Sequence, residues 1–111
     1  MKNSKQPTQR QLRVGEELRH ALVEVLERQE LRDPALRNHS ITVSEIRLGR
    51  DLRNATIFVS PLGGDNAEEV VAALSRASRF LRGAIAKRVR LRYMPSLKFA
   101  HDHSFDEADR I

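Results

Sequence analysis

Apolar side chains recur at helical spacing near the start of the chain. Val14, Leu18, Ala21, Leu22 and Val25 fall on one stripe, while Glu17, Arg19, Glu24 and Arg28 lie away from its centre. The pattern predicts an amphipathic helix over residues 9–32. Asp33-Pro34 closes it, because proline donates nothing to the helical ladder and disfavours helical geometry in the residue before it. After a loop to about residue 40, Ile41-Thr42-Val43-Ser44-Glu45-Ile46-Arg47-Leu48 alternates β-branched and polar residues, with a phase slip between Val43 and Ile46. This reads as a strand with a bulge or two-sided burial. Residues 49–54 read as a turn, and residues 55–60 as a second strand with Ala55, Ile57 and Val59 on one face, so the two strands make a hairpin.

Pro61-Leu62-Gly63-Gly64 closes the hairpin, and Asp65 followed by Glu68 has the form of a helix-start capping pattern. In the helical region that follows, Val70, Val71, Leu74 and Ala77 share an inner face, but a straight continuation would turn Phe80 outward. A re-phasing by roughly 50° gathers Phe80, Leu81, Ala84 and Ile85 on a common face. The expectation is therefore a kink at Ala77-Ser78-Arg79, against the simpler alternative of a straight helix with an exposed Phe80. Leu91 and Tyr93, then Leu97, Phe99 and His101, alternate around Met94-Pro95-Ser96, giving a last strand with proline at its entry or edge. A hairpin followed by a helical crossover into another strand predicts an α+β domain. Its sheet has three strands, the second and third parallel, with the helices on one face.

A chain of 111 residues accommodates one such domain. Residues 1–8 are polar and basic and are expected to form a loose arm before a domain over residues 9–111. Without cysteine the chain has no disulfide, thiolate metal site or cysteine nucleophile, which agrees with a reducing compartment. Residues 1–9 lack the apolar core of a secretory signal, and no apolar run approaches the roughly 20 residues that cross a bilayer. The expectation is a soluble, cytosolic protein.

The 20 Lys and Arg outnumber 15 Asp and Glu, for a net charge of +5, which favours a polyanionic partner. The excess is segregated. Between Glu69 and Asp102 there is no carboxylate, while Arg76, Arg79, Arg82, Lys87, Arg88, Arg90, Arg92 and Lys98 all occur. On the broken helix Arg76, Arg79 and Arg82 point away from the apolar stripe, Lys87 and Arg90 lie on its flank, and Arg88 fits the outer face only if the helix has ended. Such a surface supplies phosphate contacts, and the arginine fork suits them. A solvated face or an anionic lipid surface is the weaker alternative, since no bulky apolar face is left unclaimed by the core. The aromatic residues are Phe58, Phe80, Tyr93, Phe99 and Phe105. If most of them pack in the core, the surface reads folded RNA by shape and backbone and not by base stacking. His101 and His103 alternate on a strand end without a third ligand at usual spacing, and no nucleophile–base–acid arrangement appears, so neither a metal site nor catalysis is expected. Nothing in the sequence requires a cofactor.

These residues resemble ribosome-binding factor A from about Arg10 to Ile111. The resemblance rests on Arg10 with Arg13-Val14, Asp33-Pro34, Ile41-Thr42-Val43 with Ile46, and Asp51-Leu52 and Ala55 before Ile57-Phe58-Val59. It continues through residues 74–82, then Arg90-Leu91-Arg92 with Pro95, Leu97 and Phe99 before Asp102 and Ser104. Order and spacing together carry it. The resemblance implies a type II KH-like domain and a non-enzymatic assembly factor, and nothing in the sequence demands more than a monomer. Such a factor binds the free 30S ribosomal subunit and its 16S rRNA, assists late rRNA processing, and is needed in bacteria notably in the cold. With the basic helix and strand surface docked on that RNA, Arg10 and Arg13 are expected as secondary contacts. The resemblance also implies a helix kink of the type alanine, any residue, glycine at Ala77-Ser78-Arg79, where Arg79 departs from the pattern. Ala108 likewise stands where relatives often have glycine, and relatives commonly continue past the position of Ile111. The rival readings are a general KH-type RNA binder not specific to ribosomes and an adaptor whose basic face meets an acidic protein.

Overall fold

In the computed structural model, which describes residues 6–28, 31, 33–36, 40–62 and 66–104, Thr8 starts the first helix. The Thr8 hydroxyl accepts from the Gln11 N–H at 3.1 Å, and the Gln11 side chain accepts from the Thr8 N–H at 2.6 Å. This reciprocal pair satisfies two helix-end donors. Helix α1 then runs Gln9–Glu27. The last residue of the expected arm is therefore the cap of the helix, and residues 1–5 lie outside the described residues. The helix is also shorter than the expected span to residue 32. Its buried apolar stripe ends at Val25, and the next position on that face, Arg28, is exposed and has nothing apolar to bury. Asp33-Pro34 thus follows the helix without ending it. Asp33 instead opens a turn in which its carboxylate accepts from the Ala35 N–H and its carbonyl from the Leu36 N–H, dropping Leu36 into the core.

Strands β1 (Ile41–Leu48) and β2 (Asn54–Pro61) pair antiparallel. Val43 faces Val59 and Glu45 faces Phe58, which leaves Ser44 as the extra residue of a bulge where the sequence slips phase. Strand β3 (Ser96–His101) runs parallel to β2, from Asn54 opposite Ser96 to Val59 opposite His101, and the sheet order is β1-β2-β3. Leu91 and Tyr93 do not belong to β3. Pro95 has no N–H for the ladder, and the carbonyls of Met94 and Pro95 are held from the helix side, so the strand starts only at Ser96.

Helices α2 (Ala67–Arg76) and α3 (Ser78–Ala86) break at Ala77, whose φ of −90° and ψ of 5° leave the helical basin. The break needs no left-handed residue, so Arg79 fills the glycine position as an ordinary residue of α3. Phe80, expected on the inner face, is 47% exposed. Leu81, Ala84 and Ile85 already complete the inner stripe, and Phe80 stands about 100° round from Leu81. The α2 cap is Asn66, in a left-handed conformation with no side-chain bond, while Asp65 lies outside the described residues. Glu68 and Glu69 in the first turn complement the helix dipole.

Helices α1, α2 and α3 cover one sheet face. Leu18, Leu22 and Val25 of α1, Val70 and Leu74 of α2, and Leu81 and Ile85 of α3 close over Val43, Ile57, Val59 and Phe99. Each large buried side chain contributes about 1.5–3 kcal/mol relative to exposure. The seam between α1 and β1 is closest at Gly15, where a Cβ would stand 2.9 Å from the Ile46 carbonyl oxygen. Any side chain there would push the helix off the sheet. The other sheet face carries Glu45, Arg47, Phe58 and Lys98.

Candidate nucleic-acid interface

The cations of the acid-free stretch do not form one surface. Arg82, on α3, donates to the Pro95 carbonyl at 3.0 Å and to the Met94 carbonyl at 2.7 Å, tying the helix to the segment that enters β3. It is a structural tether, although its side chain is exposed as expected. Arg88 donates to the Ala84 carbonyl at 3.0 Å and reaches Glu24 at 3.4 Å, so it pins the end of α3 to α1. Arg76 pairs with Asp33 at 2.9 Å. The Asp33 carboxyl is held below the usual carboxylate range, first by the Ala35 N–H and then by Arg76. Arg90 is exposed and borders a recess of about 400 Å³ that it shares with Glu17, Glu24 and Arg88.

The remaining expected contacts are exposed but scattered. Arg79 lies beside Phe80 on the outer face of α3, and Lys87 caps the C-terminus of that helix. Arg13 is exposed on α1. Lys98, on β3, faces the helix-free side of the sheet, where Arg47 lies 4.8 Å over the Phe58 ring. Phe58 is therefore already covered by a cation.

Arg10 and Arg92 of the expected set meet at a separate place. They line a cleft of about 370 Å³ together with Arg50, Asp51, Leu52, Arg53, Leu91, Tyr93 and Val14. Three connections build it. Parallel pairing places the starts of β2 and β3 side by side, with the Ser96 N–H donating to the Arg53 carbonyl at 2.9 Å. The turn before β2 and the segment before β3 are both basic, and they thereby become neighbours. The Gln11 side-chain amide donates to the Leu48 carbonyl at 2.9 Å, which draws the first turn of α1, with Arg10, to the end of β1. Leu52 holds a left-handed backbone at φ 60°, a conformation that costs energy for a residue with a side chain, and it turns the hairpin toward the cleft.

Arg50, Arg53 and Tyr93 were absent from the sequence-based set. Tyr93 read as part of a packed strand, and the aromatic residues were expected mainly in the core. Among the described residues only Phe99 is buried: Phe58 is half-buried, Phe80 is exposed and Tyr93 is 67% exposed, while Phe105 lies outside the described residues. The signal that could have found the cleft was present, because the predicted parallel pairing already put the two basic connections at one end of the sheet.

Near the far end of β3 the rings of His101 and His103 meet edge to face at 4.3 Å. The Asp102 carboxyl between them is lowered to about 2, first by the Ser104 hydroxyl, then by the Ser44 hydroxyl and the Ser104 N–H. Among the described residues no group of three His, Asp or Glu is placed to share a metal, and no helix is long and apolar enough to cross a membrane.

A family model described as ribosome-binding factor A matches residues 10–111. The ribosome-binding factor A of Phenylobacterium zucineum is 56% identical over 105 residues, covering 95% of this chain and 72% of that protein. That of Paramagnetospirillum magneticum is 54% identical over 110 residues, covering 99% and 78%. The crystal structure of ribosome-binding factor A from Thermus thermophilus superposes with a TM-score of 0.73 at 34% identity, covering 85% of this chain and 97% of that one. A Thermus thermophilus ribosome binding factor A model fitted into a cryo-EM map of a 30S complex superposes with a TM-score of 0.65 at 36% identity, covering 80% and 91%. The three-stranded sheet with its broken helix pair is the KH-like fold of these structures. By sequence over nearly its whole length and by fold, the chain belongs to the ribosome-binding factor A family.

Proposed function

We propose that this chain is a small-subunit assembly factor that binds the free 30S ribosomal subunit through its 16S rRNA and assists late rRNA processing. The observation that carries this reading is the match over residues 10–111 to a family with a member fitted on the 30S subunit, whose fold this chain shares. The exposed cations supply affinity by contacting phosphate oxygens, and affinity of that origin falls as salt rises. The factor acts without catalysis or cofactor, as a cytoplasmic monomer. It holds one conformation of incompletely matured rRNA more tightly than others and shifts the equilibrium by that difference in affinity. Cold raises the demand for such a factor.

Gradient sedimentation of a bacterial lysate containing the tagged protein, at low and at raised salt, tests the reading. Co-migration with free small subunits and not with complete ribosomes, weakened at raised salt, is the expected result. A protein that stays at the top of the gradient at both salts is not a small-subunit factor.

A further inference from the structure

The cleft where Arg10, Arg92 and the β1–β2 turn meet contains an aromatic ring that the fold does not use. Tyr93 is 67% exposed and packs in no part of the core, yet it sits among four arginines and a single carboxylate. That carboxylate, Asp51, is engaged by the Arg53 backbone N–H at 3.0 Å within its own turn. The Arg53 guanidinium lies 5.8 Å from the centre of the Tyr93 ring, over one face. Buried Val14 and half-buried Leu52 and Leu91 give the cleft an apolar floor. Its volume, about 370 Å³, falls in the range of about 300–1,000 Å³ typical of small-ligand sites. Among the described residues Arg10 and Arg92 find no protein acceptor, unlike Arg76 and Arg82.

We infer that this cleft binds one unpaired nucleotide of RNA. The base stacks on the open face of Tyr93, extending the pile begun by Arg53. Arg10 and Arg92 hold the flanking phosphates in their planar forks. A base inside a duplex is stacked on its neighbours and cannot reach the ring, so the site selects a single-stranded or bulged segment. The inference rests on the reading of the chain as an rRNA-binding factor and adds to it a surface and a kind of target.

The chain has one tyrosine and no tryptophan, so its tyrosine emission reports Tyr93 alone. The protein is titrated with a single-stranded RNA hexamer, the same backbone with every base removed, and the hexamer sequence closed into a hairpin stem. Intrinsic fluorescence and the anisotropy of labelled RNA are followed together. The intact hexamer is expected to quench the tyrosine, and the abasic and hairpin forms are expected not to. Tyr93→Ala is expected to weaken hexamer binding at least about fivefold, in line with base–aromatic stacking, while Tyr93→Phe stays close to the parent protein. Hexamer binding without quenching, or with equal affinity for Tyr93→Ala, overturns the inference, and so does a failure to bind the hexamer at all. Sedimentation with subunits is scored separately. Subunit binding that is indifferent to Tyr93→Ala defeats the cleft and leaves the ribosomal reading standing. Tyr93-dependent hexamer binding without subunit binding upholds the cleft and defeats the ribosomal reading.

Discussion

Arginines occupy two contrasting regions of this domain. Around α3, Arg82 and Arg88 turn back onto the chain, donating to the carbonyls of Met94, Pro95 and Ala84 and reaching Glu24. In the cleft formed by α1, the β1–β2 turn and the entry to β3, Arg10 and Arg92 face solvent beside an exposed tyrosine. The first group lies in the middle of the acid-free stretch and looks, by charge, like its strongest part. The second straddles the chain from residue 10 to residue 92. What separates them is the local supply of acceptors. The segment entering β3 starts at a proline and leaves carbonyls unpaired, and a nearby guanidinium satisfies them. The cleft offers only one carboxylate, already engaged by backbone.

The sharpest way to break this contrast is Arg82→Ala. Removing a charged donor that serves two carbonyls is expected to cost about 2 kcal/mol of stability, since one bond is partly buried and the other faces water. A domain of this size then melts roughly 10 °C lower. Subunit affinity, measured on the fraction that remains folded, is expected to stay near the parent value. A variant that melts normally but loses affinity would move Arg82 from the tethers to the binding surface.

The elements were largely legible in the sequence, and the fate of the charges was not. Ile57 and Val59 alternate, Ser44 sits at a slipped phase and the stripe through Leu74, Leu81 and Ile85 repeats at helical spacing, so strands, bulge and broken helix follow from local periodicity. The end of α1 was misplaced because Asp33-Pro34 is a strong stop signal, whereas the loss of an apolar partner after Val25 is a weak one. Phe80 stays outside even with the helix broken, because Leu81, Ala84 and Ile85 already fill the inner face. Arginine partners are non-local: Arg88 meets Glu24, and Arg76 meets Asp33, across stretches of chain that no periodicity links. The fold brings Arg50 and Arg53 to Tyr93 by parallel pairing, so the cleft exists only once β2 and β3 lie side by side.

Asp102 sharpens the comparison from the acid side. It is the first carboxylate after the acid-free stretch, and it accepts from the hydroxyls of Ser44 and Ser104 instead of neutralising an arginine of that stretch. Its carboxyl is lowered to about 2 in the folded chain, below its value when unfolded. A lowered folded value means that the charged form stabilises the fold at pH above about 4, and that this contribution fades as pH falls from about 4 to about 2. Solvent around the group screens the contribution to about 1 kcal/mol. Asp102→Asn is expected to lower stability by that amount at neutral pH and to flatten the acid limb of denaturant midpoints between pH 4 and 2. RNA affinity should not rise, because no arginine of the acid-free stretch is released. A clear gain in affinity would mean that Asp102 restrains the basic surface after all.

The smallest expected effect concerns the outer face of α3. If this face is open and serves neither packing nor binding, Gly83 is a helix-interior glycine with no structural purpose. A Cβ built there meets nothing within 4 Å, in contrast to Gly15, whose Cβ would press on the Ile46 carbonyl. Alanine at Gly83 restricts the unfolded chain and favours helix, so Gly83→Ala is expected to stabilise the domain by about 0.5–1 kcal/mol, read as a higher denaturant midpoint at unchanged slope. Binding to small subunits should not change, since the cleft lies at the start of β2 and β3 and not on this helix. A stabilised variant with weakened subunit binding would show that the rRNA approaches α3 closely enough to feel one methyl group. The footprint would then extend from the cleft along the helix that carries Arg79 and Phe80.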